Sequence, residues 1–321
     1  MDPLHLHRIA VDAMRERGLR PAFAPQALRE AADARLQRGE KGGDIRDLRA
    51  LPWFSIDNDD TRDLDQLSVA EELPGGVTRL LVAIADVDAM VRPGGEVDDH
   101  AGVNTTSVYT AAGVFPMLPE VLSTDLTSLH EGQERLAVVV DLQVQRDGSV
   151  TGSELYRAAV VNHAKLTYDE VSAWLDGTAP APRQVAGSRA MEAQLRLHDV
   201  VANGLRASRQ SRGALNVKTV SSRPVFEDGR LVDLRADEKN RAKELIADLM
   251  IAANAATARF LDQRGFPSLR RFLRSPRRWD RIEALAESTA CACRSSPIRS
   301  RSMPSCARAA PPTRRPSPTS P

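Results

Sequence analysis

Between Asp57 and Asp65 the chain places five aspartates in nine residues, in the run Ser-Ile-Asp-Asn-Asp-Asp-Thr-Arg-Asp-Leu-Asp (55–65). Like charges crowded this tightly repel one another, so a folded chain that gathers them calls for a counter-ion. An all-oxygen donor set favours a hard divalent cation, Mg²⁺ or Mn²⁺. A metal-dependent phosphate chemistry is the first expectation. A solvated acidic loop is the plainer alternative. A calcium loop of EF-hand type fails, because Arg62 stands where the turn needs glycine and Ser68 where a bidentate glutamate closes the site.

Ile56 and Leu64 bracket the run and are expected to anchor its ends in a core. Asp63 and Asp65, two apart, share a side of an extended segment, and Asp57 reaches that side if the loop folds back. Carboxylates so gathered can hold ions that orient a water, lower its pKa and offset charge on a phosphodiester oxygen.

Around this loop the pattern is mixed. Residues 3–17 and 25–38 have helical spacing, and a third short helix is expected over 44–50. These helices read equally as a helix-turn-helix-like module or as a packing extension. Strands are expected at 77–87 and 135–144. The latter enters the turn Asp147-Gly148 and returns along 150–161. Thr167 and Glu170 form a capping box ahead of a helix that Gly177 stops. Helices follow at about 188–211 and 238–263, with a hairpin at Asp228-Gly229 between them. A strand at 266–274 and a last helix to about 288 complete the pattern. Strands and helices alternate irregularly, so the class is α+β, a mixed sheet with packed helices.

The formal net charge of +1 conceals an asymmetry. From Cys291 onward there are six arginines and no acidic residue, and the remaining 38 basic residues face 43 acidic ones, a body of about −5. Such a body does not hold a polyanion by bulk attraction, so nucleic-acid binding here requires a local channel and a metal. The tail also holds all three cysteines and seven prolines, and is expected to be disordered. Its Arg/Pro/Ser composition is what a GC-rich gene yields out of frame, hence the expectation of a truncated or frameshifted C-terminus. The expected organisation is a helical module over 1–50, a large domain over 51–288 and a tail over 289–321. No apolar run approaches a membrane span and no signal peptide opens the chain, so a cytoplasmic location is expected.

The acidic run belongs to a longer series of blocks: Leu81-Val-Ala-Ile-Ala-Asp86, Pro93-Gly-Gly-Glu-Val-Asp98, Thr106-Ser-Val-Tyr109, Phe115-Pro-Met-Leu-Pro119, Ala164-Lys-Leu-Thr-Tyr168, Arg212-Gly-Ala-Leu215 and Met250–Asn254. In order and spacing these resemble the ribonuclease II family, whose catalytic domain is called RNB. The resemblance implies a Mg²⁺-dependent, 3′-to-5′ exoribonuclease acting on single-stranded RNA as a monomer and releasing nucleoside 5′-monophosphates. It assigns Asp57, Asp63 and Asp65 to three of four active-site aspartates and metal ligands, with Gln66 in the fourth place. A glutamine carbonyl brings no charge and is a weaker Mg²⁺ ligand; Asp59 or Asp60 are the candidate substitutes. Tyr109 matches an aromatic that stacks on a base near the RNA 3′ end, and Tyr168 a tyrosine near the cleavage site. Plain packing roles are the alternatives for both. Asn104 stands where many relatives have an arginine that contacts phosphate. The family's glutamate in the long helix falls at Ala247, beside Glu244 and Asp248. The family's later arginine motif has no counterpart here; Arg274-Ser-Pro-Arg-Arg278 resembles it superficially but lies too early. Gln66 and that absence keep a second reading open, a non-catalytic or impaired RNA-binding relative.

Overall fold

The structure, a computed structural model, describes residues 3–34, 45–110, 113–214, 221–227, 230–237, 239–268 and 278–288. The expected tail over 289–321, the turn at Asp228-Gly229 and residues 269–277 lie outside the described residues.

The centre of the fold is a sheet that closes on itself. Strands β1 (Arg46–Asp47), β2 (Trp53–Asp57), β3 (Gln66–Leu73), β4 (Val77–Ala85), β7 (Glu134–Val144) and β8 (Val150–Thr167) form one six-stranded sheet in the order β1-β8-β2-β3-β4-β7, and β8 also pairs with β7. Strand β8 makes this possible by its length. Its first part runs antiparallel to β7, and its last residues run parallel to β2, with Phe54 opposite Ala164 and Asp57 opposite Thr167. Closure removes sheet edges that would otherwise expose unpaired backbone groups.

Strand β4, buried on both faces over Leu80–Ala83, reads as a nearly continuous apolar run. Alternate residues divide between two cores. Trp53, Leu67, Val69, Leu81, Ala83, Val139 and Val160 pack on one side. Phe54, Ile56, Leu80, Val82, Val140, Leu142 and Leu166 pack on the other, against helices α4 (Tyr168–Leu175), α5 (Arg189–Ser211) and α6 (Arg241–Gln263). The capping box at the start of α4 is present: the Thr167 hydroxyl accepts from the Glu170 amide at 3.3 Å and donates to its carboxylate at 2.9 Å. At the β7–β8 turn, Gly148 has φ +76° and lies against α5, where a Cβ would meet the Gly204 carbonyl at 2.0 Å. Glycine is required there both for the turn and for the close approach.

A buried histidine ties this core to pH. His198 on α5 is fully buried against Phe54, its Nδ1 donating to the Gln194 carbonyl at 2.8 Å while Nε2 lacks a partner. Burial lowers its pKa to about 4, so the folded protein holds a neutral ring. The unfolded chain takes up that proton near the ordinary histidine value, about 6.5. Stability is therefore full above that value and falls as pH drops towards 4, by about 3 kcal/mol in total. Chemical denaturation at pH 7 and pH 4.5 should show this loss in the wild type and a smaller one in His198→Phe.

Two expectations need correction. The expected helix over 44–50 is absent from its described residues: Arg46 and Asp47 pair in parallel with Ala158 and Ala159. Leu48 and Leu51 pack on the core beside Trp53, and the Asp47 carboxylate closes a tight turn onto the Arg49 amide at 3.2 Å. Within the expected strand 266–274, residues 266–268 have no strand structure.

The first two helices, α1 (Pro3–Glu16) and α2 (Pro25–Asp33), fall where helical spacing places them. Ala27 and Ala31 of α2 pack with Met90, Val97 and Leu122 from the segment after β4. That segment contains α3 (Glu96–Asn104) and a separate two-stranded hairpin, β5 (Val108–Thr110) and β6 (Gly113–Phe115). A hairpin β9 (Ser221–Glu227) and β10 (Arg230–Asp237), and α7 (Trp279–Ser288), complete the described elements. No described helix is long and apolar enough to cross a membrane.

Candidate active site

The acidic run connects the end of β2 to the start of β3, beside the point where β2 meets β8. Ile56 and Leu64 are buried, as their flanking positions predict. Leu64 lies inward while Asp63 and Asp65 on either side are exposed, the alternation of an extended segment.

The backbone of the loop is held at many points. The Ser128 hydroxyl donates to the Arg62 carbonyl at 2.8 Å and accepts from the Leu64 amide at 3.0 Å. Leu129 donates to the Leu64 carbonyl at 2.8 Å, and Ala85 to the Asp65 carbonyl at 3.0 Å. The Lys165 ammonium reaches in from β8 and donates to the carbonyls of Asp59, at 3.0 Å, and Thr61, at 2.8 Å. It therefore neutralises no carboxylate directly. Ser128 and Lys165 carry no signal of these roles in their sequence periodicity; only the closed sheet brings them to the loop.

The side chains show what the loop withholds from the rest of the protein. Asp57 accepts from the Asn58 amide at 2.7 Å and from the Thr61 hydroxyl at 2.9 Å. Asp63 is pushed up to about 6, first by the desolvating mass of the surrounding protein, then by the charges of Asp65 and Asp57. Asp65 is raised by the same desolvation and by Asp57. No lysine or arginine among the described residues pairs with either. Tyr168, at the start of α4, is pushed up to about 12 by burial and by the charges of Asp57 and Asp65. The structure thus brings Asp57, Asp63, Asp65 and Tyr168 into one electrostatic neighbourhood.

The arrangement fits a divalent cation in kind: three hard oxygen donors lie near one another, burial and neighbouring carboxylates raise Asp63 and Asp65, and no lysine or arginine among the described residues pairs with either. As placed, no group of three Asp, Glu, His or Cys side chains among the described residues is close enough to share one ion.

Gln66 is nearly buried, and its side-chain amide donates to the Ile56 carbonyl at 3.1 Å, tying the ends of the loop together. Asp59 and Asp60 are exposed, and neither contributes to the shifts of Asp63 and Asp65. Tyr109 lies on the outer face of the β5–β6 hairpin, 76% exposed. Asn104 does not face solvent: it is buried, with its amide paired to the backbone of Arg20. Glu244 and Asp248 are engaged by Arg206 and Arg209.

Three comparisons place this geometry among known proteins. Ribonuclease R of Escherichia coli (strain K12) is 37% identical over 232 residues, 72% of this chain and 28% of that protein. Exoribonuclease 2 of Cronobacter sakazakii is 35% identical over 223 residues, covering 68% of this chain and 34% of its own length. The chain thus spans about a third of the curated relatives it matches. Among solved structures, Mycoplasma genitalium RNase R in complex with ribose-methylated single-stranded RNA superposes with a TM-score of 0.76 at 25% identity, over 90% of this chain and 44% of that one. Yeast Ssd1, described as a pseudonuclease, shares the fold at 16% identity and a TM-score of 0.58. The RNB domain matches residues 45–307, which includes the acidic loop, the closed sheet and helices α3 to α7, and the chain belongs to the RNB domain family.

Proposed function

We propose that this chain is a Mg²⁺-dependent 3′-to-5′ exoribonuclease domain that hydrolyses single-stranded RNA to nucleoside 5′-monophosphates. The observation that carries this reading is the uncompensated carboxylate group of Asp57, Asp63 and Asp65 beside Tyr168, in a chain of the RNB family. Two kinds of relative support it: enzymes named ribonuclease R and exoribonuclease 2, and a structure of RNase R in complex with single-stranded RNA.

Asp57, Asp63 and Asp65 are the residues that would hold Mg²⁺ (or Mn²⁺), with the Gln66 carbonyl a neutral neighbour. A bound ion supplies an activated water and offsets the charge that develops on the phosphodiester. The chain's own residues do the rest. Tyr168 stays a neutral phenol up to about pH 12 and can donate a hydrogen bond to a phosphate oxygen without adding negative charge. Tyr109 offers an exposed ring on which a base can stack, a contact indifferent to sequence. The acidity of the part before Cys291, 38 basic against 43 acidic residues, is compatible with this division of labour, which calls for no broad basic surface.

Incubating the purified chain with 5′-labelled oligo(A) and Mg²⁺, and separating the released nucleotides by chromatography, tests the reading. Progressive shortening with 5′-AMP as product supports it; failure to shorten the RNA contradicts it. Tyr109→Ala should weaken oligo(A) binding by about 5- to 100-fold, the equivalent of losing one base stack. Its melting temperature should not change, since the ring is mostly outside the packed fold. A fluorescence-anisotropy titration and a thermal melt check both parts.

A second reading is favoured by Gln66, whose side chain is committed to the Ile56 carbonyl, and by the pseudonuclease that shares the fold. On that reading the chain binds RNA without cutting it, and the same titration in Mg²⁺ would show stable binding with the RNA intact.

A further inference from the structure

The N-terminal helices do not stand apart from the large domain, and their contacts converge on the segment that carries Tyr109. Asn104, the last residue of α3, is 1% exposed. Its Oδ1 accepts from the Arg20 amide at 2.8 Å, and its Nδ2 donates to the Arg20 carbonyl at 2.9 Å. The second Nδ2 hydrogen meets His100 Nε2 at 3.1 Å. This side chain therefore pairs with the backbone of the α1–α2 connection as a neighbouring strand would. The Arg20 guanidinium binds Asp99 at 2.5 Å, and the Phe23 ring lies 4.1 Å from His100. At the other end of α3 the capping residue is Gly95, which has no side chain to offer. Glu30 of α2 supplies the missing acceptor, receiving the Glu96 amide at 2.7 Å.

The chain leaves α3 through Thr105, whose φ of 58° is left-handed, and enters the β5–β6 hairpin three residues later. That hairpin is a sheet of two strands, and an isolated pair of strands is barely stable by itself. What lies beneath it is α1. The ring of His7 stacks on Phe115 at 5.3 Å and 24°. Phe115 is opposite Val108, one residue before Tyr109, and is 6% exposed. Val11 and Arg15 of α1, with Pro21 and Phe23, line a cavity of about 590 Å³ that Phe115 also lines.

We infer that α1 and α2 are a buttress for the Tyr109 hairpin, with His7 and Asn104 as positioning residues that set where the RNA 3′ end stacks. The inference rests on the proposed role of Tyr109. It gives a structural purpose to Asn104, which stands where the family resemblance places an arginine in many relatives, and it makes the helical module part of substrate positioning rather than a separate binding unit.

The test is a double-mutant cycle between His7 and Tyr109, read as the dissociation constant of fluorescein-labelled oligo(A) in EDTA, where no turnover occurs. KM and kcat in Mg²⁺ are measured alongside. His7→Ala should raise the dissociation constant and KM about three- to tenfold while kcat stays near the wild-type value. His7→Phe, which keeps the stack, should restore binding. In the Tyr109→Ala background His7→Ala should have no further effect. Additive losses, or no rescue by phenylalanine, would overturn the inference. Asn104→Ala leaves two Arg20 backbone groups unpaired and risks unfolding; the exposed His7 avoids that difficulty. A wild type that binds oligo(A) but fails to shorten it would sink the nuclease reading and leave the cycle fully measurable. A wild type that does not bind RNA would overturn both.

Discussion

Asp65→Asn is expected to slow RNA shortening by about 10²–10³-fold, the usual loss when one electrostatic contributor to a transition state is removed. The same substitution should leave the protein at least as stable as the wild type in metal-free buffer at neutral pH. The reason lies in the direction of the shifts. Burial and neighbouring aspartates raise Asp63 and Asp65 above the ordinary carboxylate value. Between that ordinary value, about 3.9, and the raised one, the folded protein binds more protons than the unfolded chain. Stability from this source is present at low pH and is lost as pH rises; for Asp63 the loss is complete above about pH 6. Replacing either carboxylate by its amide removes that loss. Because both side chains keep contact with solvent, screening holds the gain well below the value the shift alone would give. Activity assays with labelled oligo(A) and thermal melts across pH 4–7.5 read the two effects separately. Loss of activity with a falling melting temperature would point instead to a structural role for the carboxylate.

The second large effect concerns stability. Asp248 on α6 is almost entirely buried, and each of its carboxylate oxygens meets an arginine of α5: Oδ1 to Arg209 at 2.5 Å and Oδ2 to Arg206 at 2.7 Å. Arg206 also holds Glu244 at 2.8 Å. Asp248→Ala leaves two guanidinium groups at the helix interface with their shared acceptor gone. Breaking a buried pair by removing one partner costs about 3–5 kcal/mol. The arginines are about a quarter exposed and regain some water, so a value near 3 kcal/mol is expected. Urea denaturation measures it. Asp248 is adjacent to the place where the family's helix glutamate falls, and both its carboxylate oxygens are engaged by arginines.

How far these features can be read from residues alone depends on how local their causes are. The Thr167–Glu170 cap, the Asp147-Gly148 turn and the long amphipathic α5 and α6 rest on neighbours within a few positions, and each is found where its local chemistry places it. A short helix is expected over 44–50, yet the register of Arg46 and Asp47 is set by a parallel partner more than a hundred residues away on β8. Closure of the sheet through β8 is invisible for the same reason: periodicity reports which face of a strand is apolar and not which strand lies beside it. The site divides along that line. The crowding of Asp57, Asp63 and Asp65 is legible as sequence, because repulsion depends on proximity along the chain. The Lys165 staple, the Ser128 bridge and the Asn104–Arg20 pairing are contacts between distant segments, and spacing carries no trace of them.

The departure at Gln66 acquires a physical meaning from its surroundings. β2 and β3 share one registered pair, Phe54 with Ser68, before the loop separates them. The Gln66 amide bridges the gap to the Ile56 carbonyl. A carboxylate there could not donate that hydrogen bond without a proton, so the glutamine trades charge at the site for closure of the loop.

The acidic loop as a metal-holding device is tested most directly by titrating the metal-free protein with Mn²⁺ and following free ion by electron paramagnetic resonance, with Mg²⁺ as competitor. The wild type should take up the ion and release it to Mg²⁺, while Asp63→Asn and Asp65→Asn should bind it much more weakly. Mn²⁺ uptake that is absent in the wild type, or unchanged by either substitution, would contradict the assignment.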